Sequence, residues 1–418
     1  MDHTRYLVIG AGVSGLAFTD WIQSDDYIIC EALNEIGGYC RTIKKDGFVW
    51  DFSGHFFHFN RPEIEQYLRS RMGDQKIRTV VKEARIFHKD RLIDFPFQKN
   101  IHQLPREDFI DCLVDLFERN TAPATNFKEM LYAKFGKSIA DLFLVPYNQK
   151  LYATELENLD VHAMGRFFPH ADISEIIGNF RKPDKSSYNA TFTYPQGGAI
   201  QYIQALAKGV KSENIRLEAR VIGVDLDKKV AQTTRGDISF EHLISSAPFP
   251  QLLKMTSTEY EPEIYNYNKV LVFNLGFDRK GLEGIHWIYF ADPSLVFYRV
   301  GFYDNIFNTD RMSLYVEIGY PASAKIDAEE RAQAKSRVLK DLKRCGIVDA
   351  HELVAEHCAL LDPAYVHMQQ RAQEDVRNKK SLLTQKGVHS IGRYGSWTYC
   401  SIEDNIVEAR NLAGTLSP

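Results

Sequence analysis

Val8-Ile9-Gly10-Ala11-Gly12-Val13-Ser14-Gly15-Leu16 is the stretch that decides the fold of this 418-residue chain. It carries the spacing G-x-G-x-x-G between an apolar strand-like segment, residues 5–9, and an apolar helical segment, residues 16–22. Glycines at these positions let the backbone approach a pyrophosphate, whose charge the N-terminus of the following helix stabilises. By itself the motif also fits an ordinary turn between a strand and a helix.

A second apolar segment strengthens the nucleotide-binding interpretation. Tyr27-Ile28-Ile29-Cys30 reads as a strand that ends at Glu31, 21 residues after Gly10. A carboxylate at this distance accepts hydrogen bonds from the adenosine ribose of a dinucleotide. Because strand, helix, second strand and acidic residue are in register, the sequence predicts a dinucleotide-binding unit.

Composition excludes several other classes of protein. With 44% hydrophobic and 25% charged residues, the chain has the make-up of a globular enzyme of two or three domains. A net charge of -4 without a basic tract argues against a nucleic-acid partner. No leader precedes the first strand and no apolar run approaches the ~20 residues that span a bilayer, so we expect no membrane partner and a cytoplasmic location.

The cysteines and histidines give no metal signature. The six cysteines are scattered without ligand spacing, and we expect them to be reduced thiols. His55 and His58 form an H-x-x-H pair that lacks a third ligand nearby, so we expect no metal site.

Hydrophobic periodicity divides the chain into five regions. Apolar residues at three- and four-residue spacing predict helices at 63–68 and 109–117, whereas alternation predicts strands at 215–224 and 269–300. The same reasoning predicts a buried strand at 242–248 and a charged amphipathic helix at a solvated surface at 329–345. The predicted regions are a dinucleotide unit (1–60), a mainly helical insertion (61–190), a return to the dinucleotide domain (191–268), a substrate-facing sheet with helices (269–387) and a C-terminal strand, glycine-rich turn and helix (388–418).

A second glycine motif resembles a flavoprotein signature. Residues 31–42, with Glu31, Gly37-Gly38 and Arg41-Thr42, resemble the E-x(n)-G-G-x-x-R-T segment of flavoproteins related to amine oxidases. In that group the glycine pair and the arginine lie along the diphosphate of FAD. The resemblance therefore implies FAD rather than NAD. It also implies an α/β fold with a glutathione-reductase-like (Rossmann-type) FAD-binding domain, a helical insertion and a sheet-rich substrate domain.

Later segments resemble the UDP-galactopyranose mutase family, and the likeness runs through essentially the whole chain. Its motifs are Asp51-Phe52-Ser53-Gly54-His55, Phe95-Pro96-Phe97, residues 146–152 followed by Arg166, Tyr194-Pro195-Gln196-Gly197-Gly198, His286-Trp287-Ile288-Tyr289-Phe290 with Phe297-Tyr298-Arg299, and Gly392-Arg393-Tyr394-Gly395-Ser396-Trp397-Thr398-Tyr399. Three positions depart from the family pattern. Ser53 replaces a glycine, Asp292-Pro293 alters the segment after Phe290, and Tyr365 lacks the proline that usually follows it.

The resemblance implies roles for individual residues. Arg166 and Arg299 would hold a diphosphate, and His55 would face the flavin, which makes these three the expected catalytic residues. The expected substrate-binding residues are Tyr152, Trp287, Tyr289, Tyr365 and Tyr399. The expected FAD-binding residues are Gly10, Gly12, Val13, Ser14, Gly15, Glu31, Gly37, Gly38, Arg41, Thr42, Gly54, His55, Val221, Gly392, Arg393, Tyr394, Glu403, Asp404 and Asn405.

By the same resemblance the protein is an isomerase (intramolecular transferase) of polysaccharide biosynthesis. It would interconvert the pyranose and furanose forms of a nucleotide sugar, typically UDP-galactose, with N5 of reduced FAD as nucleophile. Guanidinium groups suit the departing diphosphate because they stay charged and offer forked donors. On the sequence alone, we expect Arg166→Ala and Arg299→Ala to leave folding and FAD binding nearly intact, since neither residue lies in a flavin motif.

Two alternatives stay open at this stage. One is a FAD-dependent oxidoreductase of the amine-oxidase or protoporphyrinogen-oxidase type, which shares the scaffold. The other is a non-catalytic binder resembling the GDP-dissociation inhibitors, against which the intact glycine motif, Glu31 and the C-terminal flavin segment all argue. The sequence specifies neither the sugar nor the base, and it leaves homo-oligomer formation open.

Overall fold

The computed structural model describes residues 1–182 and 190–417. Residues 183–189, at the end of the predicted helical region, and Pro418 lie outside the described residues. The strands, in chain order, are β1 (Asp2–Ile9), β2 (Tyr27–Cys30), β3 (Thr42–Lys45), β4 (Phe48–Asp51), β5 (Ile77–Val81), β6 (Ala84–His88), β7 (Arg91–Asp94), β8 (Thr191–Pro195), β9 (Ile215–Arg216), β10 (Val221–Asp225), β11 (Val230–Thr233), β12 (Gly236–Ser245), β13 (Asn268–Phe277), β14 (Trp287–Phe290), β15 (Arg299–Phe302), β16 (Ser313–Pro321), β17 (Leu353–Leu361) and β18 (Val388–Ser390).

The helices connect these strands and also form a layer between the two large sheets. In chain order they are α1 (Val13–Trp21), α2 (Pro62–Ser70), α3 (Arg106–Glu118), α4 (Phe127–Phe135), α5 (Lys137–Ile139), α6 (Val145–Tyr152), α7 (Ile173–Arg181), α8 (Ile200–Ala207), α9 (Phe249–Met255), α10 (Asp304–Phe307), α11 (Ala328–Arg344), α12 (Gln370–Gln385), α13 (Gly392–Gly395) and α14 (Ile402–Leu416).

The first sheet has the order β10-β11-β12-β1-β2-β9, and β18 also pairs with β12. Strands β12, β1, β2 and β9 are parallel, as is the β12–β18 pair. β1 is buried on both faces, because Tyr6 and Val8 pack under α1 and α14 while Leu7 and Ile9 pack against the opposite cluster around Phe249. A parallel strand covered on both sides needs the unbroken apolar run that residues 5–9 supply.

The second sheet has the order β17-β13-β16-β15-β14-β6-β7 and is antiparallel except for the β14–β6 pair. Its outer face packs against α11 through Val338 and Leu342. Its inner face joins Trp287 and Tyr289 to the core of the helical region. The sheet therefore has one wholly apolar face and one face that reaches the space between the two halves of the molecule.

Most predicted elements are confirmed, and two need correction. The predicted, mainly helical insertion also contains strands β5, β6 and β7, two of which extend the second sheet. The alternating stretch at 215–224 forms two strands rather than one, because the extended conformation is interrupted between β9 and β10, where Glu218 has a φ of 54°. Helix α11 is amphipathic as predicted, since Ala334, Val338 and Leu342 on its apolar side are fully buried.

Candidate active site

The glycine motif forms a turn that only glycine can make. Gly10 has a φ of +98°, and a Cβ on Gly15 would lie 1.9 Å from the carbonyl oxygen of Gly10. Gly12 precedes α1 without a side-chain cap, and the first turn of that helix carries no acidic residue. Gly12 also faces Gly38, so two backbone segments without side chains approach each other at this point. The N–H groups at the start of α1 are thus left for an anion.

Glu31 lies at the end of β2, beside this turn. Its carboxylate accepts hydrogen bonds from the backbone N–H groups of Ala11 (2.8 Å) and Leu33 (2.9 Å). The neighbouring segment folds back over α1, since the N–H of Gly37 donates to the carbonyl of Ala11. The predicted ribose ligand and the second glycine pair are therefore brought together by backbone hydrogen bonds.

Arg41 and Thr42 come directly after the second glycine segment, and their side chains have different contacts. Arg41 donates to the carbonyl of Gly38 and lies over the ring of Phe52. The Thr42 hydroxyl donates to Asp51 at 2.6 Å and accepts from the N–H of Ile200. Thr42 thus ties β3 to β4 and α8, while Arg41 borders the predicted diphosphate path.

The C-terminal segment packs directly on the glycine motif. A Cβ on Gly392 would lie 2.3 Å from the hydroxyl of Ser14, and Asn405 accepts hydrogen bonds from both Ser14 and the backbone N–H of Arg393. The ring of Tyr394 contacts Tyr39 of the second glycine segment edge-on. Residues 392–394 and Asn405 therefore close the predicted dinucleotide site from the side opposite Glu31.

Three other predicted FAD contacts have structural partners of their own. Glu403 is buried and accepts hydrogen bonds from the backbone of Asn60 and from the backbone and side chain of Arg61. Asp404 forms a capping box with Ser401, the N-cap residue of α14. Val221 begins β10, and its side chain is buried in the cluster beneath the first sheet. Their expected contacts with FAD stay predictions.

A cavity of about 530 Å³ opens beside the C-terminal segment, between the second sheet and the helical region. The predicted residues that line it are Gly54, His55, Arg166, Trp287, Tyr289, Arg299, Tyr365, Arg393 and Tyr399. Tyr152 is fully buried behind this wall, with its ring 6.0 Å from that of Tyr365. Part of the cavity wall is aromatic and apolar and consists of residues that were not among the predicted site residues: Phe95, Phe143, Leu144, Tyr147 and Phe168.

Arg299, at the start of β15, is held by a carboxylate that the sequence reasoning missed. Its Nε and Nη2 atoms each donate to Glu317 on β16 at 2.7 Å, and Ser53 donates to the same carboxylate. Burial raises the pKa of Glu317, but Arg299 and these hydrogen bonds outweigh it and hold the pKa below its usual value. The signal in the sequence is one acidic residue inside the apolar run 313–318, because a buried charge requires a partner.

Arg166 lies at the rim of the cavity in a different environment. It is part of a 3-10 turn, Gly165–Phe167, and pairs with Asp404 at 2.5 Å. Its side chain is 44% exposed, whereas that of Arg299 is 19% exposed. The cavity thus brings the two predicted diphosphate ligands together, Arg166 partly exposed at the entrance and Arg299 fixed in the wall.

His55 is neutral in this site. Burial, reinforced by the nearby charge of Arg393, lowers the pKa of its imidazole to about 4. Its Nδ1 atom is buried without a hydrogen-bond partner among the described residues. A Cβ on the preceding Gly54 would lie 2.6 Å from the hydroxyl of Tyr315, so the loop packs tightly against the second sheet. The imidazole can therefore offer a hydrogen bond to a bound molecule but no positive charge at neutral pH.

Three tyrosines and a tryptophan complete the wall. Trp287 donates to the hydroxyl of Tyr289 at 2.8 Å, which orients both rings. Tyr365 and Tyr399 stack with their ring centres 5.8 Å apart, and the Arg393 guanidinium lies near both. Phenol groups of this kind can hydrogen-bond a polar ligand while their rings exclude water.

The described residues 1–182 and 190–417 contain neither a cluster of three or more His, Cys, Asp or Glu side chains suited to a metal ion nor a helix long and apolar enough to cross a bilayer. By contrast, they fit a flavin dinucleotide. They include a side-chain-free cradle at Gly12 and Gly38, the uncapped N-terminus of α1, and the buried Nδ1 of His55, which has no hydrogen-bond partner among them.

Solved structures share this architecture over nearly the whole chain. A crystal structure of reduced UDP-galactopyranose mutase superposes with a TM-score of 0.90 at 23% identity, covering 99% of this chain and 95% of that chain. A putative protoporphyrinogen oxidase from Exiguobacterium sp. 255-15 gives 0.77 at 16% identity, covering 99% and 98%. A putrescine oxidase double mutant gives 0.66 at 14% identity, covering 99% of both chains. These likenesses confirm the predicted α/β fold.

The family assignment comes from the sequence as a whole. The profile of the flavin-containing amine oxidoreductases matches residues 22–415, which is most of the chain. The match includes the second glycine segment and the C-terminal closure described above. The chain therefore belongs to the flavin-containing amine oxidoreductase family, and its cofactor is FAD.

Proposed function

We propose that the protein is a mutase that interconverts the pyranose and furanose forms of a nucleotide sugar, with a UDP-galactose as the first substrate to test. The observation that carries the proposal is the pair of arginines, Arg166 and Arg299, on the wall of one cavity next to the C-terminal flavin segment. A neutral or amine substrate of an oxidase has no use for two guanidinium groups, whereas a diphosphate does. The solved mutase structure with the same fold adds support.

In this proposal, different residues of the cavity contact the base, the diphosphate and the sugar of the substrate. The aromatic part of the cavity wall, with Phe143 and Tyr147 stacked 5.2 Å apart, suits a flat nucleobase. Arg166 and Arg299 hold the diphosphate, with Tyr365 and Tyr399 as further donors. The sugar then lies towards His55 and Trp287.

The role of the two arginines follows from the negative charge that develops on the diphosphate. When the bond between the sugar and the diphosphate breaks, negative charge gathers on the leaving group. Arg299 is already fixed by Glu317, so its remaining N–H groups meet this charge without reorganisation. Arg166, at the rim, can exchange Asp404 for the diphosphate as the substrate enters. Reduced FAD supplies the nucleophilic nitrogen for the reaction when it is bound. Neutral His55 can orient a hydroxyl of the sugar through its unpartnered nitrogen.

The experiment tests whether the reduced protein converts the substrate without consuming a reductant or an oxidant. Dithionite-reduced protein is incubated with UDP-galactopyranose, and the ring forms are separated by chromatography. We expect conversion without stoichiometric use of reductant or oxygen. Oxygen consumption in proportion to product, or activity on amines with none on nucleotide sugars, would establish the oxidoreductase alternative instead.

Binding of UDP tests the arginine pair separately. Arg166→Met is expected to weaken UDP binding by roughly ten- to a hundredfold, the worth of one charge-assisted contact. Lysine at this position restores it only in part, because a point charge lacks the fork. The matched control is Arg279→Met, an exposed arginine paired with Asp278 away from the cavity, which leaves affinity unchanged. Equal UDP affinity of wild type and Arg166→Met by calorimetry would remove the main support for the mutase.

A further inference from the structure

Arg393 differs from the other two arginines of the cavity in its charge balance. Arg166 faces Asp404 and Arg299 faces Glu317, so each has a carboxylate partner. Among the described residues, Arg393 pairs with no carboxylate; its Nη2 atom makes a long hydrogen bond of 3.4 Å to the carbonyl of Ala364. Its Nε atom is buried without a partner. Arg393 therefore brings a positive charge into the cavity wall that the surrounding side chains do not balance.

Aromatic rings surround this charge without neutralising it. The guanidinium carbon lies 4.7 Å from the ring centre of Tyr399, 5.1 Å from that of Tyr365 and 5.9 Å from that of Tyr394. Cation–π contacts offset only a small part of the cost of removing a full charge from water. The tyrosines orient the guanidinium, but an anion is still required to balance it.

The position of Arg393 indicates which anion this is. Its backbone N–H is held by Asn405, which also contacts Ser14 in the glycine motif, and the adjacent Tyr394 contacts Tyr39 in the second glycine segment. The side chain extends from this closure into the cavity, where it lowers the pKa of His55. A dinucleotide with its ribose at Glu31 and its diphosphate at α1 must extend past this closure to place its ring system in the cavity.

We propose that Arg393 is the group that stabilises the negative charge of the reduced flavin ring and thereby sets the reduction potential of the cofactor. A positive charge next to the ring favours the two-electron-reduced, anionic form over the neutral oxidised form. It also lowers the pKa of the reduced ring. The carboxylate-paired Arg166 and Arg299 are then left for the substrate, and this division of roles does not depend on which sugar is bound.

The experiment measures the flavin without any substrate. Arg393→Met removes the charge at similar length, Arg393→Lys retains it, and Arg166→Met removes a cavity arginine that has a carboxylate partner. We expect Arg393→Met to shift the equilibrium between reduced and oxidised FAD ten- to a hundredfold towards the oxidised form, which lowers the midpoint potential by about 30–60 mV for a two-electron couple. Arg393→Lys should recover most of the shift, and Arg166→Met should leave the potential unchanged.

Two outcomes would overturn the proposal. One is an Arg393→Met protein that binds FAD with the wild-type potential but binds UDP more weakly, which would assign Arg393 to the substrate diphosphate. The other concerns the wild type alone and covers the case in which the variant does not fold. Absorbance of the reduced wild-type protein across pH gives the pKa of the bound reduced flavin, and a value equal to or above that of free reduced FAD contradicts a nearby unbalanced cation. Neither measurement depends on mutase activity, so the two proposals can fail separately.

Discussion

Replacing Arg299 with methionine is expected to destabilise the whole fold, not only the binding site. The substitution leaves the Glu317 carboxylate buried and inaccessible to solvent, with the hydrogen bond from Ser53 in place but without a guanidinium beside it. Removing one partner of a buried ion pair typically costs about 3–5 kcal/mol, mostly because the other charge stays desolvated. A double replacement, Arg299→Met with Glu317→Gln, removes both charges and should recover most of that loss.

The loss of stability in Arg299→Met should also depend on pH. In the wild type, Arg299 keeps the pKa of Glu317 below its ordinary value of 4.5, so the stabilisation is complete above about pH 4.5 and is lost as the pH falls through the lower, folded-state pKa. Without Arg299, burial dominates and raises the pKa of Glu317 above 4.5. The carboxyl of the single variant then takes up a proton as the pH falls, and the deficit relative to wild type shrinks.

Urea unfolding at a fixed excess of FAD, from pH 8 to pH 5, measures both effects. Tryptophan fluorescence reports the transition, because Trp50 and Trp397 are fully buried. We expect Arg299→Met to unfold at the lowest urea concentration, the double variant close to wild type, and the gap to narrow on acidification. Equal midpoints for the single and double variants, or a gap that does not change with pH, would refute the buried-pair argument.

Two further outcomes follow from the site. Gly15→Val should yield a colourless protein that takes up no FAD on reconstitution, because its Cβ would lie 1.9 Å from the carbonyl oxygen of Gly10; flavin absorbance after purification measures this, with Gly414→Val in open space as the control. The pH profile of kcat/KM should show no histidine titration between about pH 5 and 8, because the pKa of His55 is about 4. An inflection in that range that disappears in His55→Asn would show that the imidazole charges during turnover.

The local signals in the sequence predicted the dinucleotide half of the fold well. β2 begins and ends with the apolar segment 27–30, and Glu31 lies beside the glycine turn as predicted. Both features depend only on the spacing of residues along the backbone. The predicted helical insertion was less accurate. Strand β6 is short and pairs with β14 across a long sequence separation, with β7 added to its other edge, and such long-range pairing leaves no periodic trace in the residues themselves.

Long-range pairing also limited the prediction of single side chains in the candidate site. The sequence assigned Arg166 and Arg299 to one site but treated them as equivalent, and both replacements were expected to leave the fold intact. The structure supports this for Arg166, which is half-exposed, and contradicts it for Arg299, which balances Glu317 on the neighbouring strand. Register between β15 and β16 puts these two residues opposite each other, and no local rule predicts that register.

The parallel β6–β14 pair has a consequence for how the chain is synthesised. β6 leaves the ribosome about 200 residues before its partner, which at about 5–20 residues per second is a delay of roughly 10–40 s. During that time Ile86 and Ile93, both buried in the finished molecule, have no sheet to join. An unpaired apolar hairpin is a site for aggregation. Co-expression of a chaperone that covers nascent apolar segments should therefore raise the yield of folded protein more than any change to the flavin supply.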